Sequence, residues 1–172
     1  MAGIKAVVQD LLAKLNTVEG VKYVRVWNNQ LDDLMNKEQD VESFPLPAAF
    51  LEVEMPNNYL PLPYGISASD IVFKVHLLHE HYDSEDGTMG QNLSVFDLRD
   101  GIIIKLTNYE PVSCGALMKI QEQQDSEHAN VYHYIISFTC HFIDDTADAR
   151  KNLITKDPPT DLQVDASIVN SI

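Results

Sequence analysis

Six histidines in one acidic chain are the first residues to test for chemistry. By the two-residue period of a strand, His79 and His81 share one face and His133 and His141 share another. Paired histidines with nearby carboxylates are a donor set that suits zinc. His133 and His141 nevertheless lie roughly 26 Å apart along an extended segment, too far to join one ion. His79 with His81 remains the candidate pair, although Glu80 between them faces the other way. A polar sheet face or a subunit contact explains these histidines without a metal, and no metal or cofactor is expected.

The acidic run Asp83-Ser84-Glu85-Asp86-Gly87 has the composition of a calcium loop but lacks the alternating ligands and distal glutamate of an EF-hand. Negative charge ahead of a helix suits the positive end of its dipole, which accounts for the run without an ion. Adjacent carboxylates such as Asp32-Asp33 and Asp144-Asp145 read as solvated charge rather than acid/base couples. Cys114 and Cys140 give neither a disulfide framework nor zinc spacing. Cys140 falls on an apolar strand face, where a buried, reduced thiol is expected. The sequence has no dinucleotide fingerprint, phosphate loop or nucleophile elbow. Seven glycines in 172 residues are also few for cradling phosphates. The expectation is a protein that is not an enzyme.

A length of 172 residues suits one domain with a real core, and 45% hydrophobic with 22% charged residues is ordinary for a globular chain. The formal net charge of −14 is not ordinary. Acids cluster at 32–54, 80–86 and 144–165, a distribution that repels nucleic-acid phosphate and anionic membranes. No apolar run approaches the roughly 20 residues of a membrane span. The opening residues run straight into an amphipathic pattern rather than a signal peptide, so the expected setting is a reducing cytoplasm or a larger particle.

The elements that position these residues follow from periodicity. Ile4, Val7, Val8, Leu11, Leu12 and Leu15 form the apolar stripe of a short helix. Residues 21–27 and 48–55 read as strands, separated by a loop over 30–47. Residues 56–70 carry three prolines and a Tyr64-Gly65 pair, too much punctuation for regular structure. The strand at 71–82 buries Ile71, Phe73, Val75 and Leu77 and leaves Val72, Lys74, His76 and Leu78 on the other face. Thr88 can cap a following helix whose stripe is Met89, Leu93, Phe96, Ile103 and Leu106. A last hairpin joins 115–124, with Leu117, Lys119, Gln121 and Gln123 on one side, to 131–143. The fold class is α+β: a mostly antiparallel sheet of about five strands packed by two helices, in the order α-β-β-β-α-β-β. Residues 1–143 form the domain and 144–172 an acidic, proline-containing C-terminal arm.

The short first helix followed by Gly20-Val21-Lys22-Tyr23-Val24, then Ala49-Phe50-Leu51-Glu52-Val53, is similar to the opening of tailed-bacteriophage tail-completion (tail-terminator, head–tail joining) proteins. In them a long strand like 71–82 precedes an acidic turn and a helix like 94–102, and a hairpin like 117–143 closes the fold. The resemblance spans residues 4–143 and is one of element order. It implies a structural virion protein assembled in the host cytoplasm, with subunits joined in a ring, commonly sixfold, at the neck or the top of the tail. The implied partners are copies of itself, other neck, connector and tail-tube proteins, and genomic DNA that slides through the lumen without specific binding. A negative wall keeps DNA phosphates from sticking.

The residues expected at subunit contacts are the loop aromatics Phe44, Tyr59 and Tyr64, with Tyr82 and the arm residues Leu162 and Val164. The alternatives from other classes are a metal-dependent small-molecule enzyme using the His79/His81 face and a cytoplasmic adaptor.

Overall fold

The computed structural model describes residues 3–31, 44–80, 89–125 and 131–152. Helix α1 (Ile4–Leu15) leads to strands β1 (Tyr23–Val26), β2 (Ala48–Glu54) and β3 (Leu60–Pro61). A 3-10 turn at Pro63–Gly65 precedes strand β4 (Ser67–Glu80), then helix α2 (Met89–Leu106). Strands β5 (Met118–Asp125) and β6 (Val131–Asp144) follow, with a second 3-10 turn at Ala149–Asn152. The sheet order is β1-β2-β4-β6-β5, with β3 bonded to the first residues of β4. Among the described residues only β1 and β2 run parallel; the other pairings are antiparallel. The α+β class agrees with the sequence reading, and so does the element order apart from the two-residue β3.

β4 and β6, each of 14 residues, pair along their whole length and form the spine. Their register sets Ile71 opposite Cys140, Phe73 opposite Phe138 and Val75 opposite Ile136, so one face of the sheet is continuously apolar. Helix α1 lays Val7, Leu11 and Leu15 on that face, at the four-residue spacing that keeps side chains on one side of a helix. α2 adds Val95, Leu98, Ile102 and Leu106. Each such buried side chain contributes about 1.5–3 kcal/mol relative to exposure.

Three expectations are corrected. The stripe of α2 is Val95, Leu98, Ile102 and Leu106, whereas Leu93 and Phe96 are exposed and Ile103 is only partly packed. Apolar residues encircle this helix, so periodicity offers more than one stripe and the sheet selects among them. Residues 56–70 are not devoid of regular structure: they hold β3, a turn and the start of β4. Tyr64 at φ 67° and Gly65 at φ 82° reverse the chain so that the Leu62 N–H reaches the Ile66 carbonyl at 2.8 Å. The punctuation builds a hairpin, and Pro61 sits on a two-residue edge strand where a missing donor is tolerated. Finally, Lys119 and Gln121 do not share a side. A bulge between them sets Lys119 opposite Phe138 and Gln121 opposite Ser137, which lie on opposite faces of β6.

Past β6 the chain packs back on the body. Asp145 and Asp148 are buried, Lys151 Nζ meets Asp145 Oδ2 at 2.9 Å, and the Arg150 guanidinium lies 4.7 Å from the Tyr64 ring centroid.

Candidate functional site

The sheet face away from the helices carries Ala48, Phe50 and Glu52 of β2, Lys74, His76 and Leu78 of β4, His133, Ile135 and Ser137 of β6, and Gln121, Gln123 and Asp125 of β5. One end of it is roofed. Tyr23, Trp27, Leu31, Phe44 and Leu46 pack over Ala48, Phe50 and Leu78 as a second, smaller core. Phe44 stacks on Tyr23 at 5.6 Å and meets Phe50 edge-on at 5.0 Å. Trp27 lies flat on the His76 ring, with centroids 4.0 Å apart and planes within 2°.

Beside this roof a line of hydrogen bonds crosses four neighbouring strands. Glu52 Oε2 is 2.9 Å from His76 Nε2, His76 Nδ1 is 2.9 Å from His133 Nε2, and His133 Nδ1 is 3.1 Å from Asp125 Oδ2. Both imidazoles are buried, whereas the two carboxylates reach the sheet surface. Burial is the largest influence on His76 and pushes its pKa below the usual histidine value, against the raising effect of its bond to Glu52. Lys74, bonded to Glu54 at 2.9 Å, is held above its ordinary range mainly by that bond. A cleft of about 170 Å³ opens next to the line, bordered by Glu52, Lys74, His76 and Ser137 among others.

The pair His76–His133 escapes a reading that works strand by strand. The two residues are 57 apart in sequence, and only the register that sets Leu78 opposite His133 brings them together. Of the candidate pair His79 and His81, the structure describes His79. His79 faces α2, where its Nδ1–H donates to the Glu80 carbonyl at 2.8 Å and its Nε2 accepts from Ser94 Oγ at 3.1 Å. His81 lies outside the described residues. His141, on the open face far from His133, is 3.2 Å from Asp70. Among the described residues no group of three or more His, Cys, Asp or Glu side chains could hold a metal ion.

A larger cleft of about 610 Å³ runs between α2 and the 18–20 turn, walled by Val18, Pro47, Leu98 and Ile104. Of the residues expected at subunit contacts, Tyr59 and Tyr64 are exposed and Phe44 is half-buried in the aromatic roof. Tyr82, Leu162 and Val164 lie outside the described residues. Other exposed large apolar side chains include Leu60 on β3, Met118 and Ile120 on β5, and Leu93 and Ile104 on α2.

No protein-family model matches the chain, and no curated protein matches it. Among solved structures it is similar to a chain of the virion of a native gene transfer agent particle. That likeness has 12% identity and a TM-score of 0.45, and covers 81% of this chain and 93% of the other. Among the described residues, no helix is long and apolar enough to cross a membrane.

Proposed function

We propose that the chain is a structural subunit of a phage-like virion, joined head to tail with its own copies in a ring at the neck or the top of the tail. The observation that carries this reading is the exposure of large apolar side chains on opposite edges of one sheet. β3 lies on the β2 side of β4 and presents Leu60, with Tyr59 just before it; β5 borders β6 on the other side and presents Met118 and Ile120. Two unlike patches on opposite edges give a heterologous contact, which closes into a ring when the rotation per subunit divides a full turn.

The order of helices and strands, similar to that of tail-completion proteins, supports the same reading. So does the charge of −14, which suits a lumen through which DNA slides without sticking. In this reading the ring ends tail-tube growth and docks the tail on the head connector.

Native mass spectrometry and electron microscopy of the purified protein test it. A closed ring is expected, and Leu60→Lys or Ile120→Lys should each release monomers that remain folded. A wild-type protein that is monomeric at every concentration would overturn the reading.

A further inference from the structure

We propose that His76 and His133 form a single proton-binding site: together they hold one extra proton in the strap Glu52–His76–His133–Asp125, and a second opens the contact between them. The argument is a count of hydrogens. Three contacts of 2.9, 2.9 and 3.1 Å link the four side chains, and each needs one hydrogen between its heavy atoms. Ionised carboxylates supply none, so all three sit on the four ring nitrogens. Three ring hydrogens on two imidazoles make one imidazolium and one neutral ring.

Either neighbouring count breaks the strap. With two hydrogens, one contact sets lone pair against lone pair. With four, N–H faces N–H between His76 Nδ1 and His133 Nε2. The single-charge state is also the electrostatic compromise between two carboxylates and two buried rings.

The hydrogen count fits either ring as the imidazolium, and the positive charge of Lys74 beside His76 places it on His133. His133 as imidazolium donates through Nε2 to His76 and through Nδ1 to Asp125. Neutral His76 accepts at Nδ1 and donates from Nε2 to Glu52. Among the described residues, the ionisable groups facing the pair are Glu52 from β2, Lys74 from β4 and Asp125 from β5; from the roof comes uncharged Trp27. Lys74 and imidazolium His133 both oppose charge on His76, and burial acts in the same direction. The second proton therefore binds on the acid side of an ordinary histidine, and its arrival cuts the strap between β4 and β6.

Trp27 is the chain's one tryptophan and lies on His76 at 4.0 Å, so it reports the event directly. Imidazole ¹⁵N NMR of the unmodified protein at pH 7 should find three ring N–H groups across His76 and His133. Two or four would overturn the proposal. On acidification Trp27 emission should fall in one step, because imidazolium quenches indole. In His133→Asn that step should move to higher pH, since the opposing charge is gone. An unchanged midpoint in a folded variant, or flat emission in wild type through the acid range while circular dichroism stays native, would also overturn it. Should His133→Asn not fold, the proton count on the unmodified protein decides alone.

Discussion

Tyr109 donates its hydroxyl hydrogen to Asp10 Oδ1 at 2.7 Å, joining residues 99 apart in sequence. The other carboxylate oxygen of Asp10 accepts the Val112 N–H at 3.0 Å, and Lys14 sits 4.5 Å from the Tyr109 ring centroid. One aspartate of α1 thus holds the connection between α2 and β5. Tyr109→Phe should lower unfolding stability by about 1 kcal/mol, the net worth of one such bond. Asp10→Ala should cost more, because two donors then lose their acceptor. Urea unfolding of both variants measures the order; equal losses would place the stabilisation in the Tyr109–Asp10 bond alone.

Arg99 grips Glu122 with two of its nitrogens, Nε to one carboxylate oxygen and Nη2 to the other at 2.7 Å, and Lys119 joins at 2.8 Å. The Arg99 bond is the main reason that the Glu122 carboxyl is held near a pKa of about 2, below its ordinary 4.5. A carboxylate depressed on folding stabilises in full above its unfolded pKa, and that stability drains away as pH falls through the folded value. Glu122→Gln should therefore be less stable than wild type at pH 7, by about 1 kcal/mol for a partly exposed bidentate pair. The difference should shrink between pH 4.5 and 2. Thermal melts of the two proteins at several pH values check the sign; a difference that grows in acid would refute the assignment.

How much of this was legible in the sequence depends on whether the partner lay nearby. The two-residue alternation of 71–77 and 131–142 wrote their faces into the chain, because a buried strand face must be apolar wherever its partner lies. The stripe Val7, Leu11 and Leu15 was legible for the same reason. The face of α2 was not, since Leu93, Phe96 and Ile104 are as apolar as the residues that end up inside. Lys119 was misplaced because one bulged residue flips the faces before it, and nothing in its own identity announces the bulge. The strap escaped notice because four residues from four strands meet only after the register is fixed.

The two cysteines, unpaired in the sequence reading, are neighbours in the fold. Cys114 bridges to Phe142 at the end of β6, two residues from Cys140 on the same face. The interaction between the two thiols is the largest influence on both. It lowers the pKa of Cys114 and raises that of Cys140, and burial raises Cys140 further. At pH 8, iodoacetamide should modify half-buried Cys114 first and reach Cys140 only on unfolding, because the thiolate is the reacting form. Peptide mass spectrometry over time reads the order; simultaneous labelling of the native protein would contradict it.

Gly65 fixes where residues 145–152 settle. Its φ of +82° is one that residues with a Cβ rarely adopt, and a Cβ built there would stand 2.6 Å from the Ala147 carbonyl oxygen. Those two costs separate experimentally. Asparagine tolerates positive φ better than alanine does, but it brings the same Cβ. If backbone strain were the whole cost, Gly65→Asn would recover most of what Gly65→Ala loses. The contact with Ala147 predicts that both variants lose about 2 kcal/mol or more, since a strained φ costs roughly 1–3 kcal/mol before any clash is added. In both, the Arg150 contact with Tyr64 should open, and protease should cut within 145–152 sooner than in wild type. A near-wild-type Gly65→Asn would mean that the chain after β6 yields easily, and that Gly65 serves the turn rather than the segment packed upon it.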